Sequence, residues 1–418
     1  MNTCFSRPVC EYREVCTGDP GVGCRDHVKG GNMIKKRHLA LLCAVIVIGL
    51  LIPPVMAVEA APGEHLYCPL NYAQEHPDID GNVIVWEDDR NGDRDIYLGE
   101  VSKFRADPAR GTLHAYTGNQ ITDDPASQEK PSISGNHIVW QDDRNGDWDI
   151  YLYDRSKEEE PTLLTKDIPG KHWMPIVRGN HAAWYHNNKG KTNVILYDIA
   201  AGKVKATIDC DAMTTIRGGS TEFKPALSDT YVAWVESGTE RVRYYQIANG
   251  DMGYASTASS AQSWPSLHGS VIAWEDYRNG NADIYTTDLA NPSGKEQKIT
   301  SSTSGQVSPS ISGNLIAWED ERDGLRSIYM YATREMPVFV PGSADDEQLY
   351  PVASGNTIVW QRGRGEHSNI YIFVHDPSGT VEPALESIEV TPSSIAVEIG
   401  ETEKFTATAL DQDGKPMT

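Results

Sequence analysis

Short apolar runs alternate with polar, turn-forming clusters along most of this chain. In "SGNHIVWQDDRNGDWDIYLYD" (134–154) an apolar segment ending at Trp140 gives way to a charged stretch, then to a second apolar segment around Tyr151. Runs of this length, rich in β-branched and aromatic residues and bounded by Gly, Asn and Asp, read as β-strands joined by tight turns. Around Trp86 both faces of the strand are apolar, with Val83 and Val85 on one and Ile84 and Trp86 on the other. Such a strand needs cover on both sides.

The block repeats. "GNVIVWEDDRNGDRDIYLGE" at 81 returns in related form at 135, 269, 313 and 355, with degenerate copies at 179 and 229. Each copy has a proline nine residues before its tryptophan: Pro77/Trp86, Pro131/Trp140, Pro175/Trp184, Pro225/Trp234, Pro265/Trp274, Pro309/Trp318 and Pro351/Trp360. Successive tryptophans lie 54, 44, 50, 40, 44 and 42 residues apart. Each unit supplies a "PSIS" strand, the tryptophan strand, a "DIYLYD" strand and a fourth such as "PTLLT". Four strands at a period of about 45 residues are the signature of a β-propeller, whose radial sheets cover one another on both faces. The seventh unit lacks a fourth strand after "SNIYIFVHD", and "EHLYCPLN" (64–71) resembles the missing piece. The N-terminal segment is therefore expected to close the ring.

Beyond the repeats, "SIEVTPSSIAVEIGETEKFTATALDQDGKPMT" alternates apolar and polar residues but is too short for a core of its own. It resembles the opening strands of a bacterial Ig-like domain of group 2. The repeat "PSISGNxIVWxDxRNGDxDIYxYD" resembles TolB-like propeller units of prokaryotic surface proteins, including those of methanogenic archaea. The expected fold class is all-β: a seven-bladed β-propeller (62–378) closed by an N-terminal strand, followed by a partial Ig-like β-sandwich (384–418) that stops mid-domain. The resemblance implies an exported or cell-surface protein with a binding, adhesion or envelope-structural role, and it carries no catalytic set.

Compartment is read from the start of the chain. A basic stretch (Lys35, Lys36, Arg37), an apolar run from Leu39 to Leu51 and a small-residue exit at Val55-Met56-Ala57 read as a secretory signal peptide over 33–61. Pro53-Pro54 interrupts the run, so no membrane insertion of the mature chain is expected. Residues 1–32 read as a non-native or removed extension. A net charge of −22 argues against nucleic acid as a partner. The expected partner is a surface ligand, protein or glycan. Cys68 and Cys210 fall nearly across the ring from one another, too far for a disulfide.

The sequence contains no nucleophile elbow, zinc helix or phosphate loop. His181 and His186 read as ordinary strand and hairpin residues. The expectation is therefore a protein that is not an enzyme and has no cofactor. The alternative is an extracellular polysaccharide lyase or hydrolase. The seven repeated tryptophans read as packing between blades, and Trp148, Trp173 and Trp264 as candidate ligand contacts. Strand direction puts the acidic hairpins at one end of every blade and the "SGN" turns at the other, which makes the acidic face the expected binding face.

The hairpins hold the remaining candidate chemistry. Asn91-Gly92 between strands predicts a two-residue type I′ turn, with Trp86 facing Tyr97 and Asp88 facing Asp95. The same register faces Asp142 with Asp149 and Asp276 with Asp283. Like charges directly opposite repel. Arg90, Arg144 and Arg278, two residues on from the first aspartate, are expected to fork between the two carboxylates. Calcium held by the same six aspartates is the second reading, although their spacing is not that of an EF-hand.

Overall fold

A computed structural model of the chain describes residues 64–66, 72–104, 118–157, 159–188, 190–213, 223–291, 296–332, 338–340, 346–365, 368–375, 387–391 and 406–410. The leader and Cys68 lie outside them. Of the Ig-like tail, only an antiparallel pair is described, Ser387–Thr391 with Thr406–Leu410.

Seven antiparallel sheets form the seven blades of a propeller. The first blade is Gln74–Asp80, Val83–Asp88, Asp95–Glu100 and Asn119–Gln120, running from the axis outward. The seventh is Gln348–Ser354, Thr357–Arg362 and Asn369–Val374, and its outer strand is Glu64–Leu66. Glu64 pairs with Phe373 and Leu66 with Tyr371, so the ring closes as the sequence predicts. The fourth blade departs from the plan: its inner strand is two pieces, Ala212–Met213 and Ala226–Leu227, both paired with Tyr231–Glu236.

All seven repeat tryptophans are fully buried. Each packs against the blade before its own. Trp140 lies with Val85, Ile96 and Leu98 of the first blade, and Trp86 with Val359, Ile370 and Ile372 of the seventh. Every blade is thus sandwiched, which is why its second strand is apolar on both faces.

The invariant proline marks a break in the inner strand. Pairing slips between Glu75 and Asp78, and the residue before the proline takes a positive φ: His76 at 50°, Lys130 at 54°, Met174 at 55°, Trp264 at 48°, Ser308 at 52° and Tyr350 at 54°. Side chains are held in this left-handed region only where the surroundings over-determine it. Here the preceding blade does so at most junctions. The residue after its tryptophan accepts the N–H of the strained residue: Glu87 from Lys130 (2.7 Å), Gln141 from Met174 (3.0 Å), Glu275 from Ser308 (2.7 Å), Glu319 from Tyr350 (2.8 Å) and Gln361 from His76 (3.3 Å). In the degenerate third and fourth copies that acceptor position is Tyr185 and Val235.

The serines of "PSIS" tie the inner strands together. Ser132 accepts the N–H of Val177 (3.2 Å), Ser310 that of Ala353 (3.0 Å) and Ser266 that of Ile311 (3.1 Å). Ser134, Ser312 and Ser354 accept the N–H of the turn glycine in the following blade, Gly179, Gly355 and Gly81. Ser132 is fully buried and also donates to Asp78 (2.7 Å). Replacing it with Ala strips both partners, and a buried polar group left unpaired costs about 1–3 kcal/mol. Urea unfolding of Ser132→Ala should show a clearly lower midpoint, with Ser237→Ala, an exposed site, as the unchanged control.

Candidate functional site

The acidic hairpins keep the predicted register, with Trp86 opposite Tyr97, Asp88 opposite Asp95, and the same pairs in the second and fifth blades. Their tips differ from expectation. Asp89 accepts the N–H of Gly92 (2.9 Å), and of the two tip residues only Gly92 has a positive φ. A type I′ turn needs positive φ at both central positions. The connection is therefore a six-residue loop (89–94) with its turn displaced toward Asp89.

The arginines also behave differently from the predicted diagonal fork. Arg90 places both its Nε (2.7 Å) and its Nη2 on Asp88. Arg144 does the same to Asp142 (2.9 and 2.6 Å), and Arg278 to Asp276 (2.9 and 2.6 Å). Trp86, Trp140 and Trp274 donate their indole N–H to the same carboxylates at 3.1, 3.2 and 3.0 Å. Each guanidinium covers the facing tyrosine, Arg90 lying 4.1 Å from the Tyr97 ring centre. Burial pushes Asp276 up, but these donors outweigh it and leave the carboxyl below its ordinary value.

The facing aspartates take other donors. Asp95 takes Asn91 (3.3 Å), Gln120 (2.9 Å) and Thr122 (3.2 Å); Asp149 takes Asn145 (3.0 Å) and Thr165 (2.7 Å); Asp283 takes Asn279 and Lys298, both at 2.8 Å. The sixth blade explains why the fork was misplaced. There Asp320 faces Ser327, with no carboxylate opposite, yet Arg322 clamps Asp320 at 2.9 and 2.6 Å. The arginine clamps the buried aspartate two residues before it, and the signal is the Asp-x-Arg spacing. As for calcium, Asp88 already receives Arg90, Trp86 and Gln74.

Gln74 pairs with Asp88, so the proline bulges lie at the hairpin end of each blade. Inside them the seven inner strands enclose a chamber of 520 Å³ lined by residues of every blade, among them His76, Lys130, Lys224, Trp264 and Tyr350. Four rings run in series along its wall: Phe223–Trp264 at 5.7 Å, Trp264–Tyr350 at 6.2 Å and Tyr350–His76 at 5.2 Å between centroids. Lys130 Nζ lies 2.6 Å from His76 Nε2. An ammonium only donates, so that nitrogen accepts and the ring proton sits on Nδ1, 3.1 Å from Glu87 Oε1. Lys224 is half-buried and donates to the Pro131 carbonyl at 2.8 Å.

Of the three candidate tryptophans only Trp264 lines the chamber. Trp173 packs on Tyr185 (6.0 Å) in the core between the third and fourth blades, and Trp148 is half-buried in its hairpin. His186 stacks on buried His172 (4.8 Å), which accepts the Trp184 indole (3.1 Å) where the first, second, fifth and sixth blades use aspartate. One group among the described residues has the composition of a metal site: Glu75, His76 and Glu87. Arg94 already bridges Glu75 (3.1 Å) and Glu87 (3.0 Å).

No protein-family profile matches the chain, and no curated protein sequence does. Solved structures do. The β-propeller domain of the Trilobed protease from Pyrococcus furiosus aligns at TM-score 0.52 and 11% identity, over 73% of this chain and 96% of its own. Oligogalacturonate lyase from Vibrio parahaemolyticus aligns at 0.53 and 12%, over 75% and 94%. An acylaminoacyl peptidase aligns at 0.51 and 12%, over 73% of this chain but 51% of its own, so the chain spans about half that enzyme's length. At such identities the likeness establishes the β-propeller fold. It also corrects one expectation: this fold is shared with enzymes, so a propeller without a recognisable motif is no ground for denying catalysis.

Two outcomes follow from this geometry. Breaking a buried ion pair from one side costs about 3 kcal/mol or more, so Arg144→Leu should lower the melting temperature by several degrees while EDTA leaves it unchanged. Buried Glu275 is pushed up from 4.5 to about 7, chiefly by burial and further by Glu319, against hydrogen bonds from Ser263, Ser308 and Tyr277. The folded state thus binds this proton more tightly than the unfolded chain. That contribution to stability is complete below pH 4.5 and lost as pH rises through 7. Glu275→Gln should therefore raise the melting temperature at pH 8 and lose the advantage by pH 5.

Proposed function

We propose that this chain is an exported surface protein whose propeller binds a ligand in its central chamber, entered from the face that carries the acidic hairpins. One observation carries the reading. The repeat keeps its proline in all seven copies, whereas the residue before it is His76, Lys130, Met174, Lys224, Trp264, Ser308 or Tyr350. These residues all line the chamber. A residue needed only by the scaffold would be uniform like the proline beside it; varied side chains presented to one chamber suit a binding site. The leader pattern supports export, and the tail's resemblance to Ig-like modules supports display at a surface of the methanogen type.

A polysaccharide lyase or hydrolase is the second reading, favoured by His76, which sits between Glu87 and Lys130 on the chamber wall, and by the fold shared with oligogalacturonate lyase. Screening the propeller against glycans and peptides should give a ligand whose binding falls at least about tenfold in Trp264→Ala with little change in melting temperature. Binding that ignores this substitution would place the ligand elsewhere. New reducing ends or unsaturated products in the same incubations, lost in His76→Ala, would establish the enzymatic reading.

A further inference from the structure

We infer that the chamber's ligand is a carboxylated saccharide, its rings laid against the aromatic wall and its carboxylate held by Lys224 and Lys130; the inference rests on the chamber being the binding site.

The wall is divided by chemistry. Phe223, Trp264, Tyr350 and His76 form one continuous aromatic arc, with the Trp264 and Tyr350 planes inclined by 29° and the Tyr350 and His76 planes also by 29°. Within the arc Phe223 is buried; Trp264 and Tyr350 are half-buried and leave aromatic surface for the C–H faces of pyranose rings. The second, third and fourth blades contribute Lys130, Arg178 and Lys224 instead, and Asp78, Asp80 and Asp229 share the lining. Cations gathered in a chain of net charge −22 are notable, because the surrounding field repels anions. An anionic ligand needs local compensation to enter, and these groups supply it. A volume of 520 Å³ falls within the usual size of small-ligand sites and has room for one or two sugar rings.

Lys224 is the cation least compensated by its own protein. Lys130 has His76 and Glu87 beside it, and Arg178 lies 3.9 Å from Asp78. Lys224 has one carbonyl partner, Pro131. Burial pulls its amine down to about 8; Asp78 and Glu87 hold it up, while Lys130 and Arg178 repel it. A carboxylate arriving beside it would restore the charge. Binding at or above pH 8 would then draw a proton onto Lys224, and binding at pH 6, where the amine is already charged, would not.

Calorimetry on the full chain tests this with digalacturonate and its neutral methyl ester, at pH 8.5 and pH 6, in two buffers of different ionisation enthalpy. The expected result is that the acid binds at least about tenfold tighter than the ester. Proton uptake should appear at pH 8.5 and vanish at pH 6. Lys224→Met should lose both the uptake and the preference for acid, and Lys224→Arg should keep the preference without the uptake. Equal affinity for acid and ester, or no binding of either, overturns the ligand class and leaves the chamber reading standing. Acid binding that survives both Trp264→Ala and Tyr350→Ala overturns the chamber reading itself.

Discussion

The backbone N–H groups of each inner strand constrain this molecule more than any other feature. An inner strand pairs on one edge only, with the second strand of its own blade, and its other edge faces the axis. Groups freed by the break at the proline must find acceptors, and the neighbouring blade provides them. Glu or Gln after the tryptophan takes the N–H of the strained residue, and the serines of "PSIS" take the next ones along. The acceptors reach the following blade and the buried tryptophans the preceding one, so each such junction combines apolar packing with directional bonds. Register around the ring follows from this combination. Apolar packing alone tolerates sliding; a hydrogen bond from a fixed carboxylate to a single N–H does not.

That arrangement also explains the residue before the proline. Its positive φ turns the side chain toward the axis, while the N–H is held by the blade behind. Backbone geometry is thus specified without reference to the side chain, which is free to differ between blades. The chamber wall can accept His, Lys, Trp or Tyr at one structural position because the bond that holds the position uses its backbone N–H. Beside Tyr185, where the acceptor is absent, the fourth blade's inner strand is split in two; beside Val235 the fifth blade keeps a continuous inner strand and the positive φ at Trp264.

The repeat made the architecture legible: seven copies at one offset, apolar second strands and a missing last strand sufficed to give blade number and closure. Cross-strand register was legible as well, because Trp86 with Tyr97 recurs as a pair. Turn type was not. Asn-Gly suggests a two-residue turn, but the aspartates and the clamping arginine need a longer loop to reach their partners. The fork failed for a related reason. Facing carboxylates look mutually repulsive in one dimension, whereas Gln120 and Thr122 come from the outer strand and the loop after it, which periodicity does not locate. Trp264 was legible as an odd tryptophan; His76, Lys130, Lys224 and Tyr350 were not, because nothing in one dimension tells the position before the proline from its other variable neighbours.

Closure by Glu64–Leu66 sets the order of events as the chain is made. A strand of three residues has no stable partner until Asn369–Val374 exists, some three hundred positions later. The first folded segment to emerge is therefore the last to be fixed in place, and until then the seventh blade carries an open edge. Long-range pairings of this kind are slow and leave unpaired edges exposed while they form. The ring cannot be complete before its last blade has been made, so every earlier blade must hold its place without it.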